Sequence, residues 1–376
     1  MTQDSNDTGR YISAEAEKPW LGLFGDKQDF YDDCGFTLTA STDEHDIMVG
    51  NFMYFFQGGK QRPKSQWLGD GIANNNLVVI TPKDRRGKGM YDNNFSRNGM
   101  NLEDYFSYDD LKVTEENGAV VWRMGKMEYV LNGPHYAMRG ISGECEYDIR
   151  FTQLDAPAVW SFGTREAAPQ AGIAGGYCYL EAEGTLKVGK TTYDIRGGRG
   201  VHERLGFSET LDPNANSQHD VNGFGNAFAI HILGGDVWVW GLGSFEAPMF
   251  FLTVEGKDLT FLPGAPGTEI SYELLDPWHD PRSGLYMPSR FRANMTSPEG
   301  RLELEMQATG RAYYPWEMKR GYQFMYWHLG ISNGAFTWPD GRIVPIENQI
   351  TQHELVKHLI SHRETMDGPD RTAVWA

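Results

Sequence analysis

Glycine and proline punctuate this chain so densely that a long helix has almost nowhere to form. Forty-four glycines and eighteen prolines are spread over 376 residues. Most intervals between them hold short alternating segments rich in Val, Ile, Thr, Tyr, Phe and Trp, which is the signature of strands and turns. Residues 119–133 (AVVWRMGKMEYVLNG), 147–154 (YDIRFTQL) and 176–188 (GYCYLEAEGTLKV) read as strands of a first sheet system. Residues 226–245 (NAFAIHILGGDVWVWGLGSF) read as a hairpin turning at Gly234-Gly235-Asp236, and 290–297, 300–310 and 322–336 continue the pattern. The expected class is all-β, of sandwich or barrel architecture, with helix below about 15% of the chain.

One segment has a convincing helical period, residues 351–364 (TQHELVKHLISHRE), with Thr351 placed to cap it. The longest helix is expected there. It would align Glu354, His358 and His362 on one face, but His358 follows His353-Glu354 one residue too late for the HExxH zinc signature. A solvated terminal helix is the preferred reading, and no metal is assigned. The polar loop at 209–223 (ETLDPNANSQHDVNG) is the best boundary. It divides the chain into an N-terminal tail (1–20), a β domain (21–208), a second β-barrel domain (209–350) and a helix with tail (351–376).

Charge narrows the partners. Thirty-four basic against 51 acidic side chains give a net charge of −17, which repels phosphate backbones and anionic lipid surfaces, so nucleic acid is not an expected partner. No apolar run reaches the length of a membrane span, and the start MTQDSNDTGRYISAEAEKPW has neither a basic nor an apolar signal region, so a cytoplasmic protein is expected. Cys34, Cys145 and Cys178 are odd in number and lack CxxC spacing, which suggests buried thiols rather than disulfides or a zinc framework. No GxGxxG at a strand-to-helix turn, no GxxxxGK[ST] and no GxSxG occurs, so no cofactor is assigned.

The stretch with most chemical content is TLKVGKTTYDIRGGRGVHERLGFSE, residues 185–209. Gly197, Gly198 and Gly200 allow the backbone to bend, and His202, Glu203 and Arg204 follow at once. On a regular strand His202 and Glu203 would face opposite ways; at a bend or bulge both could be aimed into a crevice. The plain alternative is a surface turn with solvated charges. In the next hairpin Trp238 and Trp240 share a face, with His231 across the turn, either as core packing or as an aromatic wall around an apolar ligand. Tyr326 and His328 repeat that geometry, with Trp327 on the other face; a histidine on an apolar strand is usually a hydrogen-bonded core residue.

The order G-x-L-x-V-G-K (residues 184–190) into Tyr193, Ile195, Gly198 and Gly200, then His202-Glu203, a polar loop, and the tryptophan hairpin resembles the junction of the lipocalin-like carotenoid hydratase (hydroxyneurosporene synthase) superfamily, which also holds kievitone hydratase and decalin-forming Diels–Alderases. Residues 333–349 (NGAFTWPDGRIVPIENQ) resemble the closing strand pair of its second domain. The resemblance runs from about Gly176 to Gln349. It implies two lipocalin-like domains and a pocket at their junction that takes a hydrophobic, terpenoid- or polyketide-like molecule without a redox cofactor. The reaction implied is hydration, dehydration, isomerisation or cyclisation. Glu203 is then the expected acid and His202 its proton partner, with Arg204, His231, Trp238, Trp240, Tyr326 and His328 as substrate-binding candidates. Two other classes stay open: a carbohydrate-active enzyme with paired acids such as Glu203 and Glu246, and a non-catalytic carrier of an apolar ligand.

Overall fold

A computed structural model describes residues 10–20, 23, 30–57, 71–92, 95–97, 105–161, 164–167, 173–208, 227–244, 247–318 and 321–360. About three quarters of them are in strands. The first sheet begins with β1 (Phe30–Ser41), β2 (His45–Gln57), β3 (Gly71–Pro82), β4 (Phe95–Arg97) and β5 (Tyr105–Phe106). It continues with β6 (Leu111–Glu116), β7 (Ala119–Met124), β8 (Met127–Asn132), β9 (His135–Ser142) and β10 (Cys145–Gln153). It ends with β11 (Val159–Ser161), β12 (Ile173–Val188) and β13 (Thr191–Ser208). The second sheet holds β14 (Ala227–Gly234), β15 (Val237–Ser244), β16 (Ala247–Val254), β17 (Lys257–Phe261) and β18 (Glu269–His279). It is completed by β19 (Tyr286–Ser297), β20 (Gly300–Met318), β21 (Gly321–Thr337) and β22 (Ile343–Ile360).

Both sheets are wound by one rule. The order of the first is β4-β3-β2-β1-β13-β12-β10-β9-β8-β7-β6, and of the second β17-β16-β15-β14-β22-β21-β20-β19-β18. In each, neighbouring strands are antiparallel and the first strand in sequence pairs with the last, β1 with β13 and β14 with β22. Each sheet curls around its own apolar interior, giving two lipocalin-like domains. The expected alternation is plain in β10, where Cys145, Tyr147, Ile149 and Phe151 are buried and the residues between them are exposed. The outer faces of the two sheets then pack together. Met48, Phe52, Tyr54 and Leu77 of the first meet Ala312, Tyr314, Trp327 and Leu329 of the second. Beside them Tyr177 and Val201 meet Trp240 and Leu242.

Three expectations need correction. Residues 351–360 are strand rather than helix; β22 is paired on both edges, by β21 and β14. Thr351 and His353 fill the interior side, so the apolar-in pattern that marks a strand is hidden, and pairing on both edges overrides local helix preference. The side chain of His358, and all of His362, lie outside the described residues. The expected N-terminal tail is partly core. Ser13 caps the short helix α1 (Ala14–Glu17) by accepting from the Ala16 amide, and Ile12, Ala16 and Trp20 are buried. Among the described residues α1 is the longest helix, and none is long and apolar enough to cross a membrane.

The third correction concerns the glycines. They do not end a strand: β13 runs through them with a bulge, where Glu183 alone faces Arg196 and Gly197. Gly197 has φ 59°, the left-handed region that favours glycine. At Gly200 a β-carbon would collide with the Thr37 carbonyl oxygen of β1. Gly197→Ala, with open space around it, should therefore cost only the left-handed backbone penalty of about 1–2 kcal/mol. Gly200→Ala must push β1 away and should cost more; urea unfolding of the two variants checks the order.

Candidate active site at the sheet junction

Beyond the bulge β13 is regular, and its alternation separates the two candidate catalytic residues. His202 points into the first sheet's interior. Its Nδ1 lies 2.9 Å from the Gly35 carbonyl oxygen, its Nε2 lies 3.0 Å from Glu17 Oε2, and its ring stacks on Phe36 at 4.8 Å. Arg204 points the same way. It bonds Asp32 at 2.8 Å, donates to the Ala16 and Lys18 carbonyls at 3.2 and 3.0 Å, and lies between the rings of Trp20 and Trp122. Neither side chain reaches the junction. They anchor the N-terminal segment.

Glu203 faces the second sheet. In register it sits between Gly35 of β1 and Tyr177 of β12. Gly35 lacks the side chain that would strike the Phe52 ring, so Phe52 of β2 lies over β1 beside the acid. Asp33, two residues along β1, hydrogen-bonds Glu203 and accepts from the Leu205 amide at 3.2 Å. Opposite stands Glu354 of β22. Burial pushes Glu203 up from the usual 4.5 to about 8, and the negative charge of Glu354 adds to this, while the Asp33 bond and Arg204 pull the other way. Glu354 is likewise raised to about 8, by burial first and by Asp33 second. Both acids lie deep in the protein yet keep part of their surface accessible, as groups lining an internal space do.

Around this acidic group the walls are aromatic and the remaining polar atoms are few. Tyr54 and Tyr314 approach oxygen to oxygen at 3.2 Å across the two sheets, and Asn75 donates to Tyr54 at 3.4 Å. Trp327 meets Phe52 edge-on at 5.5 Å, in a space that Gly50 leaves open. On the other side Trp240 packs on Tyr177 at 4.9 Å and on Phe251 at 5.1 Å. His231 pairs with Trp240 across one edge and with Gln352, two residues from Glu354, across the other, so it shares the junction face. Burial lowers His231 to about 4, which keeps the ring neutral. Among the described residues its Nδ1, the Trp327 indole nitrogen and Asn75 Oδ1 have no hydrogen-bond partner and are free to meet polar atoms of a ligand.

The structure thus brings Glu203, His231, Trp238 and Trp240 to the junction. Tyr326 and His328 lie in the second sheet's interior, with Met287 and Leu355 around Tyr326 and with His353 Nδ1 3.5 Å from His328 Nδ1. Trp327, between them, is the residue that reaches the junction. Sequence reasoning passed over Asp33, Tyr54, Tyr314 and Trp327, and placed Glu354 on a helix. Glu246 lies outside the described residues.

The same fold occurs in solved structures. CghA matches with a TM-score of 0.58 at 13% identity, covering 92% of each chain. A Nitrosomonas europaea protein described as an AttH (NE1406) matches with a TM-score of 0.50 at 14% identity, over 88% of this chain and 92% of its own. This chain has their fold. No family model and no curated protein matches the sequence.

The raised acids carry a stability signature. A carboxyl raised in the folded state binds protons that the unfolded chain releases above about 4.5. Their contribution to the unfolding free energy should be greatest below that pH and fall as pH rises from about 4.5 to about 8. Glu354→Gln removes one of the charges and should flatten that fall, raising the urea midpoint above pH 8. An unchanged slope would mean that Glu354 is not buried as a protonated acid.

Proposed function

We infer that the protein is a cofactor-independent enzyme acting on a hydrophobic small molecule, terpenoid- or polyketide-like, held between the two β domains. The chemistry best suited to the junction is hydration, dehydration or proton-driven isomerisation and cyclisation. The observation that carries this reading is a carboxyl group, Glu203, set between two aromatic walls, where burial pushes it up to about 8 and so favours its protonated form at neutral pH. Such a group can give a proton to an alkene carbon or a leaving hydroxyl. In the hydration direction the alkene gains a proton from Glu203, water bonds to the resulting cationic carbon, and the excess proton returns to a neighbouring base. The Glu203 carboxylate left by the first step can take it back, directly or by way of neutral His231. Phe52, Trp240 and Trp327 offer ring faces that favour developing positive charge and exclude bulk water.

Two other readings lose ground on particular observations. A glycosidase needs two acids across a polar cleft that binds sugar hydroxyls, whereas the acids Asp33, Glu203 and Glu354 are set among the aromatic side chains of Phe52, Tyr177, Trp240 and Trp327. A carrier would not need Asp33, Glu203 and Glu354 gathered at the centre of an apolar interface, where each buried acid costs stability. Proton-independent cyclisation, governed by the shape of the walls, is the variant of the enzyme reading that assigns Glu203 no chemical step.

Capture of small molecules on the purified protein, read by mass spectrometry, supplies the substrate or its analogue. With it in hand, Glu203→Gln keeps shape and removes the proton. Turnover should fall about 10²-fold or more with binding nearly unchanged. Near-normal turnover rejects Glu203 as the acid and favours catalysis by shape. A captured ligand that is always released unchanged favours the carrier.

A further inference from the structure

The inward face of β13 holds a group that the junction does not use. Glu17 at the end of α1, Cys34 on β1 and His202 on β13 each offer a ligand atom, and these atoms lie within 4.8 Å of one another. Their exposures are 1%, 0% and 0%. Glu17 and His202 are 185 residues apart in sequence, so only the fold assembles the set.

Hydrogen bonding decides which way the imidazole is used. The Gly35 carbonyl can only accept, so His202 Nδ1 carries a proton and donates to it at 2.9 Å. Nε2 then faces both carboxylate oxygens of Glu17, at 3.2 and 3.0 Å. A bare lone pair against a carboxylate is repulsive, so this contact calls for a positive charge between the two. The wider charge count agrees. Arg204 lies 2.8 Å from Asp32 and 4.0 Å from Glu17, one cation serving two carboxylates in an interior where uncompensated charge is expensive.

We propose that Glu17, Cys34 and His202 form a closed zinc site that fastens α1 to β1 and β13. Imidazole nitrogen, thiolate sulfur and carboxylate oxygen are all donors that borderline-soft Zn²⁺ accepts. The bond from Nδ1 to a backbone carbonyl is the outer contact that commonly orients a ligating histidine. Bond lengths of about 2.0–2.3 Å place neighbouring donors roughly 3.5 Å apart; Glu17 and His202, at 3.0 Å, open slightly, and the Cys34 sulfur, within 4.8 Å of both, closes in by about 1 Å or less. Both Glu17 oxygens face Nε2, so bidentate binding by that carboxylate brings the donor count to four, in a geometry pulled away from tetrahedral by its narrow bite.

The charges balance. Binding displaces one proton from the Cys34 thiol. The thiolate and the Glu17 carboxylate then offset Zn²⁺, and Asp32 offsets Arg204. Burial otherwise holds that thiol well above its ordinary range, which keeps it protonated when no metal is bound. The site has no recognisable spacing in sequence because its three ligands sit on three separate elements.

Full-length protein made with zinc in the medium and freed of any affinity tag should contain about one zinc per chain by elemental analysis. Exchange for Co²⁺ should produce thiolate-to-cobalt absorption in the near ultraviolet. Cys34→Ser should abolish that band. Cys178→Ser, at a buried thiol that faces His202 in register on β12, should keep it. The wild-type measurements need no variant to fold. Substoichiometric metal, together with a nitrogen NMR spectrum showing both ring nitrogens of His202 protonated, overturns the proposal. A second proton on the ring is then the missing cation.

Discussion

Strand β13 is hydrogen-bonded along both edges, to β1 and to β12, and that double pairing holds its side chains to strict alternation. Everything of chemical interest in the first domain follows from it. Even-numbered His202 and Arg204 are sent into the sheet's interior, and odd-numbered Glu203 is sent to the other sheet. One short run of sequence therefore serves two purposes, anchoring on one side and proton chemistry on the other. The bulge at Gly197 sets the phase of that alternation, because a one-residue change of register would exchange the two faces.

The inward side explains why the N-terminal segment is ordered as part of the core. Trp20 donates from its backbone to Asp32 at 2.7 Å, its indole bonds the Ala16 carbonyl at 2.9 Å, and the Trp122 indole bonds the Glu17 carbonyl at 2.9 Å. A four-residue helix has little stability of its own. Here its exposed carbonyls are taken by Arg204, and its last side chain by His202. Buried ion pairs of this kind seldom add net stability, but removing one partner is severe, because the other is left charged in an apolar interior. The pairs fix where the segment lies.

Much of this was readable in the sequence and the remainder was not, for definite physical reasons. Alternation in residues 119–133 and 147–154 reported strands because those segments have one apolar and one polar face or lie wholly in the core. The same logic failed at β22, where Thr351, Gln352 and His353 are all buried and the contrast between faces disappears. Glu203 was legible through its glycine neighbours. His202 was grouped with it because the glycines suggested a free bend, although alternation had resumed by Gly198. Asp33 and Glu354 carry no local signal at all. They reach Glu203 only through pairing of the first sheet's end strands and packing between sheets, which no spacing along the chain encodes.

The function proposed for the junction depends on a carboxyl group that stays protonated at neutral pH. Infrared difference spectroscopy of the ligand-free protein, titrated upward from pH 6, observes this directly through the carbonyl stretch of a protonated acid. Such a band should be present at pH 6, disappear with a midpoint near the value of about 8 reached by Glu203 and Glu354, and be reduced in Glu203→Gln. Absence of any protonated carboxyl at pH 6, or a band unaffected by Glu203→Gln and Glu354→Gln, would contradict it.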